Sequence, residues 1–492
     1  LGRSATRWPR AVSSRRPSPA RRPQGWWYHM SMAFTTLAGA VSTNHSASFT
    51  RLSFHPHGQG PERVGRRLTA VSDGWRLNGN LKTLGYFAAN VCLGADRKTF
   101  SLIVDTGSSL AAMPCSDCSG CGHHKTGARF DPSRPGATSV DCHHPPSNMH
   151  CSNCGTGSKC GYSVSYTEGS SISGYMVQDK LHLSSDQGET AIDATFGCQT
   201  RETGLFHSQM ADGIVGFSNS GRTASWAYGP TFMDRLVSDL HAPNVFSICL
   251  SEEVGAMVMG GAIPDDLEAS WISTSRASKS YAVTITDFHV AGVTVGGAAS
   301  QYNEAIVDSG TTFTYLPPTP YNKAKDHFRN HCPWGSCAQR VAKGEYPDDY
   351  CYTMSEAEML RFEDYKFLFS GGPSLVFGPR QYIYELRKGV WCMGIFNNGH
   401  SGTVIGAATM RNHEVIFDRA NHRVAFIPAD CRRMSEGARP SNLKGGYGLA
   451  GCDKAMGPIP PHPPPSPYKP PPSPPSPPAP PPPPLPPGPP PV

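Results

Sequence analysis

One stretch of this sequence occurs twice. Ser101-Leu-Ile-Val-Asp105-Thr-Gly-Ser108-Ser109 returns as Glu304-Ala-Ile-Val-Asp308-Ser-Gly-Thr311-Thr312. Each copy runs from apolar, β-branched residues into a small tight turn bearing one Asp, which reads as a buried strand ending in a carboxylate. The glycines, Gly107 and Gly310, let a second backbone approach closely. Ser108 and Thr311, three residues after each Asp, are placed to hydrogen-bond the outer carboxylate oxygen. Each copy is answered downstream by an apolar strand carrying glycine, Ala211-Asp-Gly-Ile-Val-Gly216-Phe217 and Thr403-Val-Ile-Gly406-Ala407. The spacing from Asp to that glycine is 111 residues in one case and 98 in the other. The duplicated unit is therefore a whole lobe, and the two Asp are expected to meet at a pseudo-two-fold axis. Two carboxyls that close cannot both ionise. They share a proton, one serving as base and the other as acid toward a water held between them. An isolated Asp-Thr-Gly is usually a plain turn; two copies in matched strands are not explained that way.

The ends of the chain differ from this middle. Residues 1–70 hold eleven Arg and a single acid, Glu62, whereas the other 422 residues carry 33 basic and 37 acidic side chains. The overall formal charge of +6 is thus a property of the head, and the mildly acidic body excludes nucleic acid as its partner. The head shows no periodicity and reads as a disordered leader, a transit-like segment or an upstream translation artefact. From Pro458 to Val492, 24 of 35 residues are Pro, which dictates polyproline II acting as a stiff spacer or as a ligand for Pro-binding modules. No run of apolar residues is long enough to span a membrane. The expected organisation is a leader or propeptide-like segment (1–79), an N-terminal lobe (80–270), a C-terminal lobe (271–440) and a Pro-rich tail (441–492).

Sixteen cysteines are present, and eight of them fall between Cys92 and Cys160. Their spacing around Cys115-x2-Cys118-x2-Cys121-Gly-His-His permits zinc, but eight more spread along the chain favour disulfides in an oxidising compartment. His123, His124, His143, His144 and His150 are then expected to be solvated loop residues.

From about Leu84 to Cys431 the sequence resembles the pepsin-like aspartic peptidases. Tyr86-Phe87 with Val91-Cys-Leu-Gly94 matches the opening hairpin of that family. Ser165-Tyr166-Thr-Glu-Gly169-Ser matches its flap, with Tyr166 as the flap tyrosine, and Glu414 to Phe426 matches its last hairpin. A helix is expected after the second motif, with Thr319 as N-cap and Pro320 at the first helical position before Tyr321 to His331. The Cys-rich insert is most similar to the branch of nepenthesin-like enzymes and plasmepsin V. It shares with the latter the Pro114-Cys-x2-Cys-x2-Cys-Gly-x-His run and the segment Glu202-Thr-Gly-Leu-Phe206-x2-Gln209-x-Ala-Asp-Gly213. Ala112 stands where pepsin has a Trp that supports the flap tyrosine, so that support must come from elsewhere.

The resemblance implies a mostly β, bilobal fold and a monomeric aspartic endopeptidase of the secretory pathway or cell exterior. It requires no metal or organic cofactor and acts on polypeptide substrates. Asp105 and Asp308 would be catalytic, supported by Gly107, Ser108, Gly310 and Thr311. Tyr166, Glu168, Gln209 and Thr312 would contact substrate, with Glu168 and Gln209 holding an Arg side chain. The alternative is a catalytically silent, inhibitor-like member of the same fold; such proteins lose an Asp or the flap tyrosine, and this chain keeps all three. A structural wall glycoprotein would fit the tail but leaves the repeated motif unexplained.

Overall fold

The structure, a computed structural model, describes residues 72–82, 84–146, 149–166, 169–183, 191–219, 228–343 and 350–445. The basic head, most of the tail and Glu168 lie outside these residues. Among the described residues the molecule is mostly strand. A 15-stranded sheet contains the first motif and gathers strands from Ser72–Asn80 through Arg423–Pro428, and the second half adds one five-stranded and two four-stranded sheets.

Backbone pairing runs close to both ends of the described residues. Ser72–Asn80 is a strand paired with Val254–Gly260 and with Tyr86–Leu93. Its Trp75 and Leu77 are buried in the main core. Toward the other end, Ala262 and Lys444 exchange backbone hydrogen bonds of 2.7 Å, and Leu443 is buried.

The strand Lys98–Asp105 shows why the motif reads as an unbroken apolar run. Phe100, Leu102 and Val104 face the main core. Ile103, on the opposite face, packs in a second cluster with Leu110, Ala112, Tyr162, Ile172, Phe206 and Ile214. A strand covered on both sides has no polar face to alternate with. The glycine strands fall as the repeat predicts. Gly213–Gly216 runs parallel to the first motif strand with Gly216 opposite Asp105, and antiparallel to Ala112–Pro114. In the second half Thr403–Gly406 runs parallel to Ala305–Asp308 with Gly406 opposite Asp308, and antiparallel to Thr314–Leu316. The same crossing is built twice.

The remaining local expectations hold with one shift. Tyr86–Leu93 pairs with Lys98–Asp105, and His413–Asp418 with Arg423–Pro428, as antiparallel hairpins. The helix after the second motif spans Pro318–Asn330 with Pro317 at its N-cap, two residues ahead of the expected start. Pro318 takes the first helical position, where a missing N–H is no loss, and Tyr321 N–H donates to the Pro317 carbonyl (3.1 Å).

The clustered cysteines form disulfides: Cys118–Cys121, Cys142–Cys154, Cys151–Cys160 and Cys115–Cys198. Downstream come Cys249–Cys431, Cys332–Cys337 and Cys351–Cys392. The groupings with metal-ligand proximity, Cys142–His143–Cys154 and Cys115–Asp117–Cys198, each consist of a disulfide plus one neighbour, and a disulfide offers no thiolate. This bonding fits an oxidising compartment. No helix among the described residues is long and apolar enough to cross a membrane.

Candidate active site

The two Asp turns face each other and are braced crosswise. Thr106 N–H donates to Ser309 Oγ (3.1 Å), and Ser309 N–H donates to Thr106 Oγ1 (2.9 Å). The hydroxyls then reach across to the opposite strand: Thr106 Oγ1 donates to the Val307 carbonyl (3.0 Å) and Ser309 Oγ to the Val104 carbonyl (2.8 Å). All four bonds are buried, so each is worth more than a surface bond and would be costly to leave unmade. Thr106 and Ser309 were given no role in reading the sequence. The signal was present, since both copies carry a hydroxyl residue directly after Asp.

Each carboxylate is held in the same way. Gly107 N–H donates to Asp105 Oδ1 (2.8 Å) and Gly310 N–H to Asp308 Oδ1 (2.9 Å). Ser108 Oγ donates to Asp105 Oδ2, and Thr311 Oγ1 to Asp308 Oδ2 (2.6 Å). The glycines are required by the opposing turn. A Cβ on Gly107 would lie 2.7 Å from the Asp308 carboxyl carbon, and one on Gly310 2.6 Å from that of Asp105. Asp105 and Asp308 are 5% and 8% exposed. Burial, followed by the charge of Asp308, pushes the Asp105 carboxyl well above the usual carboxylate range, against the opposing pull of the Ser108 hydroxyl. Such a pair retains one proton where isolated carboxyls have lost theirs, and its titration belongs to both.

The segment expected to form the flap is an antiparallel hairpin of Cys160–Ser165 and Ser171–His182. Tyr166, at its end, packs against Phe206 with ring centroids 4.8 Å apart and planes tilted by 38°. Phe206 thus occupies the supporting role left open by Ala112, which is fully buried in the same cluster. Phe206 lies in a quoted motif, but its role depends on a contact across 40 residues of chain. Gln209 caps the short helix Leu205–Ser208 and donates its N–H to the Leu205 carbonyl (2.8 Å). Its side-chain Nε2 is buried without a partner among the described residues. Thr312 lies beside the second turn with its hydroxyl donated to the Gly85 carbonyl (2.6 Å), so only its acceptor capacity is left for a ligand.

His123, His143, His144 and His150 are exposed, as expected, but His124 is not. Its side chain is 2% exposed and lies 3.0 Å, Nε2 to Oε2, from Glu202, itself 1% exposed. Burial alone would lower the His124 pKa. The hydrogen bonds to Glu202 and to the Gln209 carbonyl outweigh it, and the net shift is upward.

Two β-rich halves, each delivering an Asp-Ser/Thr-Gly turn to a shared, cross-braced pair, define the pepsin-like class. Comparison with known proteins agrees. A family model for eukaryotic aspartyl proteases matches residues 86–429, and the chain belongs to that family. It is similar to Aspartic protease 5 of Toxoplasma gondii, at 26% identity over 78% of this chain and 40% of that protein. It is also similar to Plasmepsin V of Plasmodium falciparum, at 22% identity over 74% and 75% of the two chains. Aspartyl protease family protein 1 of Arabidopsis thaliana is 29% identical over 76% and 74%. The chain therefore spans less than half of the Toxoplasma relative and about three quarters of the other two.

Proposed function

We propose that this protein is an aspartic endopeptidase in which Asp105 and Asp308 activate a water to attack a peptide carbonyl. The ionised carboxylate of the pair takes a proton from the water as it adds to the carbonyl carbon. The protonated partner gives its proton to the carbonyl oxygen, yielding a neutral tetrahedral diol. Proton transfer to the amide nitrogen then releases the amine, and the carboxylic acid product leaves the pair ready for another cycle. Ser108 and Thr311 orient the outer oxygens, Gly107 and Gly310 permit the close approach, and Tyr166 closes over the bound peptide. The observation that carries this reading is the crosswise bracing of two buried carboxyls in equivalent turns. The silent, inhibitor-like reading has no comparable support, because both Asp and the flap tyrosine are retained. Replacing Asp105 or Asp308 with Asn should abolish hydrolysis of a fluorogenic peptide between pH 4 and 7 while the melting temperature stays near that of the parent. Cleavage by the folded double variant overturns the proposal.

Within this activity, the proposed substrates are polypeptides of the secretory route or cell exterior that carry Arg near the scissile bond. The protein's disulfides suit that compartment. The Gln209 side chain has its Nε2 buried without a partner among the described residues, and by rotating about its last bond the amide can turn its oxygen to that side, so a guanidinium can use it. Glu168, which lies outside the described residues, is given the same role by its place in the sequence motif. Profiling on a peptide library should show Arg enriched near the cleaved bond and the enrichment lost in Glu168→Ala; an unchanged profile refutes this specificity.

A further inference from the structure

The two sequence segments that set this chain apart, the Cys-rich insert and the stretch before the first glycine strand, are laced together in the structure. Glu202 N–H donates to the Gly120 carbonyl (3.1 Å), and Lys125 N–H to the Met210 carbonyl (2.7 Å). Between them Gly122 N–H donates to Glu202 Oε2 (2.9 Å). His124 sits at the centre. Its Nε2 faces Glu202 Oε2 at 3.0 Å and its Nδ1 faces the Gln209 carbonyl at 3.1 Å. Both partners are acceptors, so the ring serves both only by presenting an N–H on each side. A side chain buried to 2% exposure with both nitrogens engaged is a clamp rather than a packing residue. What it clamps is the segment Leu205–Gln209, one turn of helix too short to hold its own position. That turn carries Phe206, against which Tyr166 rests, and Gln209, whose buried Nε2 has no partner among the described residues.

We infer that His124 and Glu202 are positioning residues for peptide binding: their buried pair anchors the Leu205–Gln209 turn to the disulfide-stapled insert and so sets the flap support and the Gln209 amide. The inference rests on the endopeptidase reading above. It also gives the insert a purpose, since the bridges Cys118–Cys121 and Cys115–Cys198 fix the backbone on either side of the clamp.

The test separates binding from cleavage. Affinity for a labelled Arg-containing peptide is measured in the full chain carrying Asp105→Asn, and kcat and KM are measured with Asp105 intact. His124→Gln keeps a donor near the Nε2 position, toward Glu202, but releases the Gln209 carbonyl. His124→Asn keeps a donor near Nδ1 and so the bond to Gln209. Misplacement of a binding group by about 1 Å can cost up to two orders of magnitude, so His124→Gln should weaken binding and raise KM roughly tenfold. kcat should change by less than about threefold, since the Asp pair is untouched. His124→Asn should restore most of the affinity. Glu202→Gln, which keeps volume but removes the charge, should weaken binding in the same direction. Unchanged Kd and KM in a His124→Gln protein of parental melting temperature overturn the inference. So does a loss that falls equally on kcat, KM and melting temperature and that His124→Asn does not relieve, because that is the mark of a merely structural histidine. If the parent cleaves no peptide while the Asp105→Asn protein still binds one, the endopeptidase reading fails and the positioning role is judged on affinity alone. Absence of both binding and cleavage in the parent refutes both.

Discussion

At the scale of single residues, the site is a contest between burial and hydrogen bonding over two carboxyls. Burial and the neighbouring charge hold the Asp105 proton on to higher pH, and the Ser108 hydroxyl works in the other direction by bonding the charged form. The sign of a Ser108→Ala change follows. The active pair needs one proton, so kcat/KM falls as pH rises through the raised pKa. Without the hydroxyl the charged form is disfavoured further, and the alkaline limb of the profile moves to higher pH. A hydrogen bond to a charged group is worth about 1.5–3 kcal/mol, so the maximal rate should also drop roughly tenfold or more. A pH series of kcat/KM on one peptide checks both effects; an alkaline limb that stays in place or moves to lower pH contradicts the account. The Asp, Gly and hydroxyl residues of this balance could all be read from the repeat. The cross-brace of Thr106 and Ser309 was in the same letters but not in their local chemistry, because each hydroxyl finds its partner about 200 residues away in the chain.

At the scale of elements, the crossing strands are the least tolerant parts. Gly406 lies opposite Asp308 in register, and a Cβ there would run into the Phe313 carbonyl and sit 2.8 Å from the Thr311 carbonyl oxygen. Backbone cannot yield as a flexible side chain can. Gly406→Ala should therefore destabilise the protein by about 1–3 kcal/mol, the usual range for overpacking, and shift Thr311 from Asp308. Calorimetry together with peptide hydrolysis should show activity lost more steeply than melting temperature; parental values of both would contradict this. Hairpins and central strands were legible because their periods and turn residues are local. The helix start was displaced by two residues because Pro317, Pro318 and Pro320 all suit a first turn, and propensity alone does not choose between them. His124 was misjudged for a related reason: in a Cys- and Gly-rich loop nothing periodic distinguishes a buried side chain from a solvated one.

At the scale of the whole molecule, the first described strand joins strands from far along the sequence. The wide sheet places Ser72–Asn80 beside Val254–Gly260, with Val245–Leu250 and His413–Asp418 following in order. Cys249–Cys431 clamps this region across 182 residues. Closing a loop of that length removes denatured-state entropy equivalent to about 5 kcal/mol in the chain-entropy account, and measured bridges typically yield 2–4. A Cys249→Ala/Cys431→Ala pair should lose about 2–5 kcal/mol in denaturant titration. It should retain the Asp-pair geometry and hence peptide cleavage under native conditions. A variant as stable as the parent would show that the strand pairing alone carries the closure.

The sequence by itself determined that two carboxyls would meet, because a duplicated strand, turn and crossing strand leave few ways to fold other than twice, and the small residues after each Asp permit the approach. It also determined the separate compositions of a cationic head, a mildly acidic body and a proline-rich tail. Tertiary structure alone decided which hydroxyls brace the pair, that Phe206 replaces a missing aromatic beneath the flap, and that His124 is buried as a clamp. Those outcomes depend on which distant segments become neighbours when the core closes, and a contact between segments leaves no periodic mark in either one.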